Sequence, residues 1–344
     1  MRNVDFTKTK GIEGVTKNFL ISEDYLRKLL DANDQSAFYE ELQIPKKSFK
    51  NRKDFRIVYK ADPPVAQLQK NLASVIENNI HFPECVQGFV KGRSSLSNAK
   101  HHLCRKLLLN ADIKNFFDSI NIDRVIEVFS NLGCDSDTSK ILAKICTRNG
   151  ILSQGLHTSP TVSNIVVSKM DNDFLTLCEK HSATYTRYAD DISISSDKSL
   201  PTKEEVSDIL KNHGFELNEN KFSIRKRGQA QYVTGLSVFD SRYPRIPKRM
   251  KRNLRLELYY SNKYGIESHF DKIGVPDYAG SYSYRRLRGT IDYINSIEPS
   301  VSQKSYKLLP YKPDYKCLAE MFIKNPDNFP GLLAKMESGN SKTN

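Results

Sequence analysis

Residues Thr184 to Ser196 read TYTRYADDISISS, two β-rich arms on either side of Ala189-Asp190-Asp191. β-branched and aromatic residues favour extended chain, and short polar residues between two such runs favour a tight turn. The stretch therefore predicts a hairpin with an acidic pair at its tip. A second strand is predicted upstream, where Leu107, Leu108 and Leu109 run into Ala111, Asp112 and Ile113. Asp112 lies at the end of that strand, 78 residues before Asp190. If the two strands lie side by side in one sheet, Asp112, Asp190 and Asp191 gather at one point. Adjacent anions in a low dielectric repel by several kcal/mol, so such a patch calls for hard cations. Magnesium prefers carboxylate and phosphate oxygens, and a pair of such ions can activate a hydroxyl and stabilise a departing pyrophosphate in one in-line displacement. The prediction is specific: the three carboxylates converge, with oxygens not tied up by Lys or Arg. Taken singly, a strand-end Asp and a polar hairpin tip are ordinary turn chemistry. The tetrapeptide Tyr188-Ala189-Asp190-Asp191 arises by chance in only on the order of one in a few hundred chains of this length.

Around this centre the pattern reads as α+β. Residues 1 to about 50 read as mostly helical, with Tyr25, Leu26, Leu29 and Leu30 on one face. A basic segment, Lys46 to Lys60, alternates as a strand and stops at Pro63 and Pro64, before a helical period from Gln67 to Asn79. After Asn121, Ile122, Val125, Ile126 and Phe129 fall at helical spacing until Gly133. Asp137 is placed as the cap of the next helix, which ends near Gly150, and Ser159-Pro160 opens a single longer one through Phe174. Thr202 and Glu205 form a capping box before a helix closed by Gly214.

The chain has 344 residues, 53 Lys and Arg against 40 Asp and Glu, and a net charge of +13. That length buries a sizeable core, and the absence of any long apolar run or export signal predicts a cytoplasmic protein with no membrane partner. The six cysteines, with no C-x-x-C pair, read as reduced packing residues. Residues 221–260 hold eleven Lys and Arg against only Asp240 and Glu257. Beyond them Tyr259, Tyr260, Tyr264, Tyr278, Tyr282, Tyr284 and Tyr293 interleave with Arg285, Arg286 and Arg288, a mixture suited to nucleic acid.

Several motifs lie in one order along the chain: NADIKNFFDSI (110–120), QGLHTSPTVSN (154–164), YADD (188–191) and GFELNENKFSI (214–224). Together with Asn98-Ala99-x-x-His102 and Val233-Thr234-Gly235, they resemble the motifs of bacterial retron reverse transcriptases. The resemblance covers about residues 45–240. It implies a right-hand polymerase fold: an N-terminal helical region (1–45), fingers and a palm of antiparallel sheet backed by helices (46–240), a mainly helical basic thumb (241–336) and a flexible tail (337–344). It implies that Asp112, Asp190 and Asp191 are catalytic and hold two Mg2+ ions, with the Ile113 carbonyl as a further ligand. Arg56, Phe117, Gln154, Gly155 and Lys221 are implied to bind nucleotide. Phe117 would exclude a ribose 2′-hydroxyl, Lys221 would meet the leaving pyrophosphate, and Arg52 and Lys53 compete with Arg56 for the triphosphate. Asn98, His102, Val233, Thr234 and Gly235 are implied to touch RNA, with Lys248, Arg249 and Arg252 on the thumb; a satisfied structural histidine is the alternative reading of His102.

The partners implied are a cognate structured non-coding RNA, its DNA product, deoxynucleotides and an effector protein in antiphage defence. Synthesis from a guanosine 2′-hydroxyl, giving a branched RNA–DNA, is likewise implied by resemblance. Leu156 and His157 depart from the small residues or Pro usual there, and Ala61 from a Pro. Other bacterial reverse transcriptases, of group II intron, diversity-generating or abortive-infection type, are the alternative. A non-catalytic RNA-binding scaffold is a second, but it has no need of three uncompensated carboxylates.

Overall fold

The computed structural model describes residues 4–45, 55–266, 269 and 281–309. They fall into two units, Met1–Pro244 and Arg245–Asn344. The first opens with helices α1 (Gly11–Phe19) and α2 (Glu23–Asp31), which bury Val15, Phe19, Leu26, Leu29 and Leu30. Helix gives way to strand at Tyr39, against the helical reading of that region. Strand β1 (Tyr39–Pro45) pairs antiparallel with β2 (Phe55–Ala61), in register from Tyr39 opposite Ala61 to Pro45 opposite Phe55. The run Glu40-Glu41-Leu42-Gln43 is helix-prone on its own, and pairing with a strand farther along the chain overrides that local preference. Residues 46–54, with Arg52 and Lys53, lie outside the described residues.

Helix α3 (Pro63–Asn79) begins at the two prolines that end β2, because Pro suits the first helical turn and the Asp62 side chain accepts the Val65 N–H at 3.1 Å. After α4 (Ser95–Lys100), strand β3 (Leu107–Lys114) runs into a turn and then α5 (Ile122–Asn131), capped by Asn121. The next helix, α6 (Ser136–Cys146), is capped by Asp135 and not Asp137: Asp135 Oδ1 accepts the Thr138 N–H at 2.8 Å. The long helix expected after Ser159 is two, α7 (Ser159–Val166) and α8 (Ser168–Lys180), because Val167 at φ −95° and ψ 9° leaves the helical region. Strands β4 (Thr184–Tyr188) and β5 (Asp191–Ser196) form the expected hairpin. Helix α9 (Lys203–Asn212) carries both halves of its capping box, Glu205 N–H to Thr202 at 3.2 Å and Thr202 N–H to Glu205 at 2.8 Å.

Strands β6 (Glu216–Leu217) and β7 (Ser223–Lys226) complete a five-stranded sheet in the order β4-β5-β3-β6, with β7 also paired to β3. Strands β8 (Tyr232–Val233) and β9 (Leu236–Ser237) make a small separate hairpin. The antiparallel sheet is backed by helices, and Leu109, Ile113, Ile192, Ile194, Phe129 and Phe174 are among its buried residues. Cys85, Cys134, Cys146 and Cys178 are buried free thiols and Cys104 is half-buried, while Cys317 lies outside the described residues.

The second unit is helical where described: α10 (Lys248–Tyr264), α11 (Ser281–Ile297) and α12 (Pro299–Lys307). Leu254 and Leu258 of α10 and Leu287, Ile291 and Ile294 of α11 are buried, while Met250 is only half-buried. Lys251 pairs with the buried Glu298, and Lys248, Arg249 and Arg252 are exposed. The tail from residue 337, and Tyr278, are outside the described residues. Among the described residues no helix is long and apolar enough to cross a membrane.

Candidate active site

The β4–β5 hairpin closes on a two-residue turn, Ala189-Asp190, between the paired Tyr188 and Asp191. Ala189 takes a left-handed φ of 57°, as tight hairpin turns require at their first central position. β5 pairs with β3 so that Asp191 stands opposite Asp112, and the Ile113 N–H donates to the Asp190 carbonyl at 3.0 Å. Two strand ends 78 residues apart therefore meet as expected. Asp112 is buried, Asp190 half-buried and Asp191 exposed.

The electrostatics record the crowding. Burial, then the Asp112 charge, raises the Asp190 pKa above the usual carboxylate value. Burial, Asp190 and Asp112 together push Asp191 up to about 6. Arg56 on β2 counts among the cations that oppose the rise at Asp190.

One part of the expectation fails. Both oxygens of Asp112 are engaged: Oδ2 accepts from Lys221 Nζ at 2.5 Å and Oδ1 from Asn218 Nδ2 at 2.9 Å. The lysine expected at a leaving pyrophosphate instead neutralises the most buried carboxylate, because a charge held in low dielectric recruits the nearest counter-ion. Burial pulls the Lys221 pKa down, but the Asp112 hydrogen bond and the three carboxylate charges outweigh it, and the net shift is upward. Among the described residues no three His, Cys, Asp or Glu side chains form a ready-made metal-ligand group. The chemistry of the donors nonetheless suits a hard cation, since all three are carboxylates, and burial and their neighbours' charge make two of them hold protons more tightly than usual.

Behind the turn lies a fully satisfied buried network that sequence reasoning missed. Arg187, with no exposed surface, donates from Nε and Nη2 to the two oxygens of Asp171, each at 2.8 Å. Its Nη1 donates to Asn164 Oδ1 at 3.0 Å and to the Ala189 carbonyl at 3.1 Å, and the Tyr185 hydroxyl donates to Asp171 at 2.7 Å. The turn that carries the acidic pair is thus braced from α7 and α8.

On the other side of the hairpin, α4 corrects the RNA-contact expectation. His102 is fully buried, with Nδ1 2.7 Å from Ser195 Oγ and Nε2 2.7 Å from Thr186 Oγ1, and burial lowers its pKa to about 3. Asn98 is buried too and accepts from Thr186 Oγ1 at 2.6 Å. Val233 is buried in the β8–β9 hairpin. These three side chains present no surface for RNA: Asn98 on α4 and His102 just past it are engaged with Thr186 and Ser195 on the hairpin strands, and Val233 is fully buried. Thr234 and Gly235 remain accessible. They line a cavity of about 490 Å³ with Asp112, Asp191, Lys221 and Ser95, and Thr234 Oγ1 donates to the Ser95 carbonyl at 3.0 Å.

A second cavity, of about 740 Å³, gathers Arg56, Phe117, Gln154 and Gly155, with Phe89 and Val58 among its other walls. Phe117 is half-exposed while Phe116 is buried, so the two divide as expected, although they lie in a turn beyond β3 and not on the strand. Gly155 has a physical reason to be Gly. Its φ is 101°, and a Cβ there would sit 2.3 Å from the Tyr59 carbonyl oxygen of β2. The same loop accepts the Tyr59 N–H at the Gln154 carbonyl, at 2.8 Å, which docks β2 and Arg56 beside it. Leu156 and His157 line this cavity as well. Lys248, Arg249 and Arg252 belong to the second unit.

The family described as Reverse transcriptase (RNA-dependent DNA polymerase) matches residues 44–237. The retron Ec83 reverse transcriptase of Escherichia coli is 26% identical over 288 residues, spanning 79% of this chain and 87% of that one. The retron Ec86 reverse transcriptase of the same organism is 27% identical over 304 residues, spanning 87% and 92%. A solved telomerase from Candida albicans, in complex with a fragment of telomeric RNA, covers 87% of this chain and 66% of its own at 11% identity. The TM-score is 0.42.

Proposed function

Since this chain belongs to the reverse transcriptase family, as an RNA-directed DNA polymerase similar to retron enzymes, we propose that it copies part of a cognate structured RNA into DNA at the Asp112–Asp190–Asp191 centre. The observation that carries the assignment of the centre is the β3–β5 register, which sets Asp112 opposite Asp191 at the mouth of a cavity. The first unit then supplies fingers and palm, with β1 and β2 as fingers and the five-stranded sheet as palm. The helical second unit is the thumb, where the exposed Lys248, Arg249 and Arg252 suit sequence-independent contact with a phosphate backbone.

The three carboxylates, with the Ile113 carbonyl, would hold two magnesium ions. Bound there, the ions would activate the primer hydroxyl and neutralise charge on the leaving pyrophosphate. With Asp112 so occupied, Lys221 no longer has to neutralise it and is available to the pyrophosphate as an ordinary ammonium, protonated at neutral pH. Arg56 grips the triphosphate, and Gln154 and Gly155 place nucleotide and template. Thr234 and Gly235, at the edge of the carboxylate cavity, meet RNA. As in the retron reading of the motifs, synthesis starts from a guanosine 2′-hydroxyl and leaves a branched RNA–DNA that works with an effector in antiphage defence.

The test uses the purified full chain with a primed RNA template and four deoxynucleotides. DNA synthesis is expected with Mg2+ or Mn2+ and is expected to vanish on chelation. RNA binding without incorporation in either cation overturns the assignment. Sequencing the copurifying nucleic acid checks the retron part: a short DNA joined to RNA at a 2′ branch is expected, and an unbranched product sinks it.

Phe117 gives a sharper expectation. Its half-exposed ring lines the cavity that holds Arg56, and on the reading of that cavity as the nucleotide site it meets the sugar, so Phe117→Ala is expected to raise ribonucleotide use relative to deoxynucleotide by about 10- to 100-fold. Competition between the two nucleotides in single-turnover extension measures it. An unchanged ratio would remove Phe117 from the sugar site.

A further inference from the structure

Phe89 takes no part in the reading above, yet it combines two costly features. Its φ is 61°, a left-handed value that is a genuine outlier for a bulky side chain, and the residue is 39% exposed. The strain has a visible origin. Gly88 is pressed on the turn of the β4–β5 hairpin so closely that a Cβ would lie 2.4 Å from the Ala189 nitrogen. The Gln87 and Gly88 N–H groups both donate to the Arg187 carbonyl, at 2.7 and 3.3 Å, and Asn164 Nδ2 donates to the Gly88 carbonyl at 2.9 Å. Gly88 is thus held at both its N–H and its carbonyl, and the left-handed residue follows directly after it.

Glycine at 89 would satisfy that clamp without strain. The chain has phenylalanine there, and the left-handed turn throws the ring into the 740 Å³ cavity, where it meets Phe117 with centroids 6.2 Å apart and planes inclined by 50°. Neither core packing nor the clamp itself accounts for an exposed ring on a strained backbone. A ligand against the ring does.

The other walls say which part of the ligand. On the reading of this cavity as the nucleotide site, the guanidinium of Arg56 suits phosphate and Phe117 the sugar, which leaves the flat, apolar-faced base. We propose that Phe89 is a specificity-determining residue that packs against the base pair formed by the incoming nucleotide and its template partner. Ring–base packing is tolerant of base identity, so the contact serves all four nucleotides and senses the shape of the pair.

Single-nucleotide incorporation on an RNA template tests this with Phe89→Ala, Phe89→Gly and Phe89→Tyr. In the Ala and Gly variants KM is expected to rise about tenfold for each of the four deoxynucleotides while kcat changes less than about threefold, the split expected on losing a contact made equally in ground and transition states. Misincorporation relative to correct incorporation is expected to rise with it. Phe89→Tyr, which restores a ring, is expected to recover most of the loss. Phe89→Gly relaxes the backbone and is expected to melt no lower than the wild type, so it carries the test if Phe89→Ala folds poorly. A Gly variant with KM within twofold of wild type for every nucleotide overturns the proposal. Failure of the underlying nucleotide-site reading would show differently, as a wild-type chain that incorporates nothing or loses nothing when Asp190 is changed.

Discussion

Asp190→Asn and Asp112→Asn are each expected to lower nucleotide incorporation by about a thousandfold or more, ~4 kcal/mol of barrier, in proteins that remain folded. Each removes one negative charge from a site whose proposed task is to concentrate it on cations. The same charge is a liability without them. Burial and like charge raise Asp190, and raise Asp191 to about 6, so the cation-free folded chain holds protons that the unfolded chain releases near pH 4. Where the folded state binds more protons, stability falls as pH rises, here through about pH 4 to 6. Asp191→Asn removes its share of that slope and is expected to leave the melting temperature at pH 7.5 equal or higher while activity drops. Added Mg2+ is expected to raise the melting temperature of the wild type above about pH 6 and to do little below about pH 4, where the carboxylates are protonated. Asparagine variants that keep a tenth of wild-type activity, or an Asp191→Asn protein that melts lower at neutral pH, would contradict this account.

The Lys221–Asp112 ion pair bears on the same experiment. Lys221 is more than half exposed and Asp112 is buried, so the ammonium can swing away more easily than the carboxylate can move. A cation has to compete with that ammonium for Asp112, and a scaffold that never bound metal would also show the pair. The asparagine changes and the response to cation report directly on that competition.

The hairpin and its partner strand were legible because their signals are local. Alternating β-formers flank a polar turn at 184–196, and an apolar run ends in Asp112 at 107–112. Convergence of the acids then needed only one sheet. The capping box at Thr202 and the helix that follows Asn121 were readable for the same reason. Strand β1 was not, because its pairing partner decides it and its own residues argue for helix. The burial of Asn98 and His102 was hidden because a polar side chain looks alike in sequence whether its partner is water or the hydroxyls of Thr186 and Ser195. Phe89 carried no signal at all. Gly88 marks a turn in the sequence, but a Gly-Phe pair gives no reason to put the left-handed residue at the phenylalanine, where the structure has it beside the tightly packed Gly88.

Arg187→Met is expected to cost the first unit about 3–5 kcal/mol, or a fall in melting temperature of about 10 °C or more, because it strands the Asp171 carboxylate in the interior. A buried pair is not stabilising merely by existing, since replacing both partners with apolar groups is often neutral. The double change Arg187→Met with Asp171→Leu is therefore expected to recover at least half of the lost stability. Activity is expected to behave differently. Arg187 also holds the Ala189 carbonyl and Asn164, and Asn164 in turn holds Gly88, so both sides of the Ala189-Asp190 turn lose a strut that no apolar pair replaces. A left-handed Ala without that strut is free to relax and carry Asp190 with it. Incorporation by the double variant is accordingly expected to stay about tenfold below wild type, in kcat more than in KM, at a temperature where it is fully folded. If the double variant regains full activity together with its stability, Arg187 serves the fold alone. If the single variant melts within a few degrees of wild type, the Asp171 charge finds another partner and the bracing argument fails at its first step.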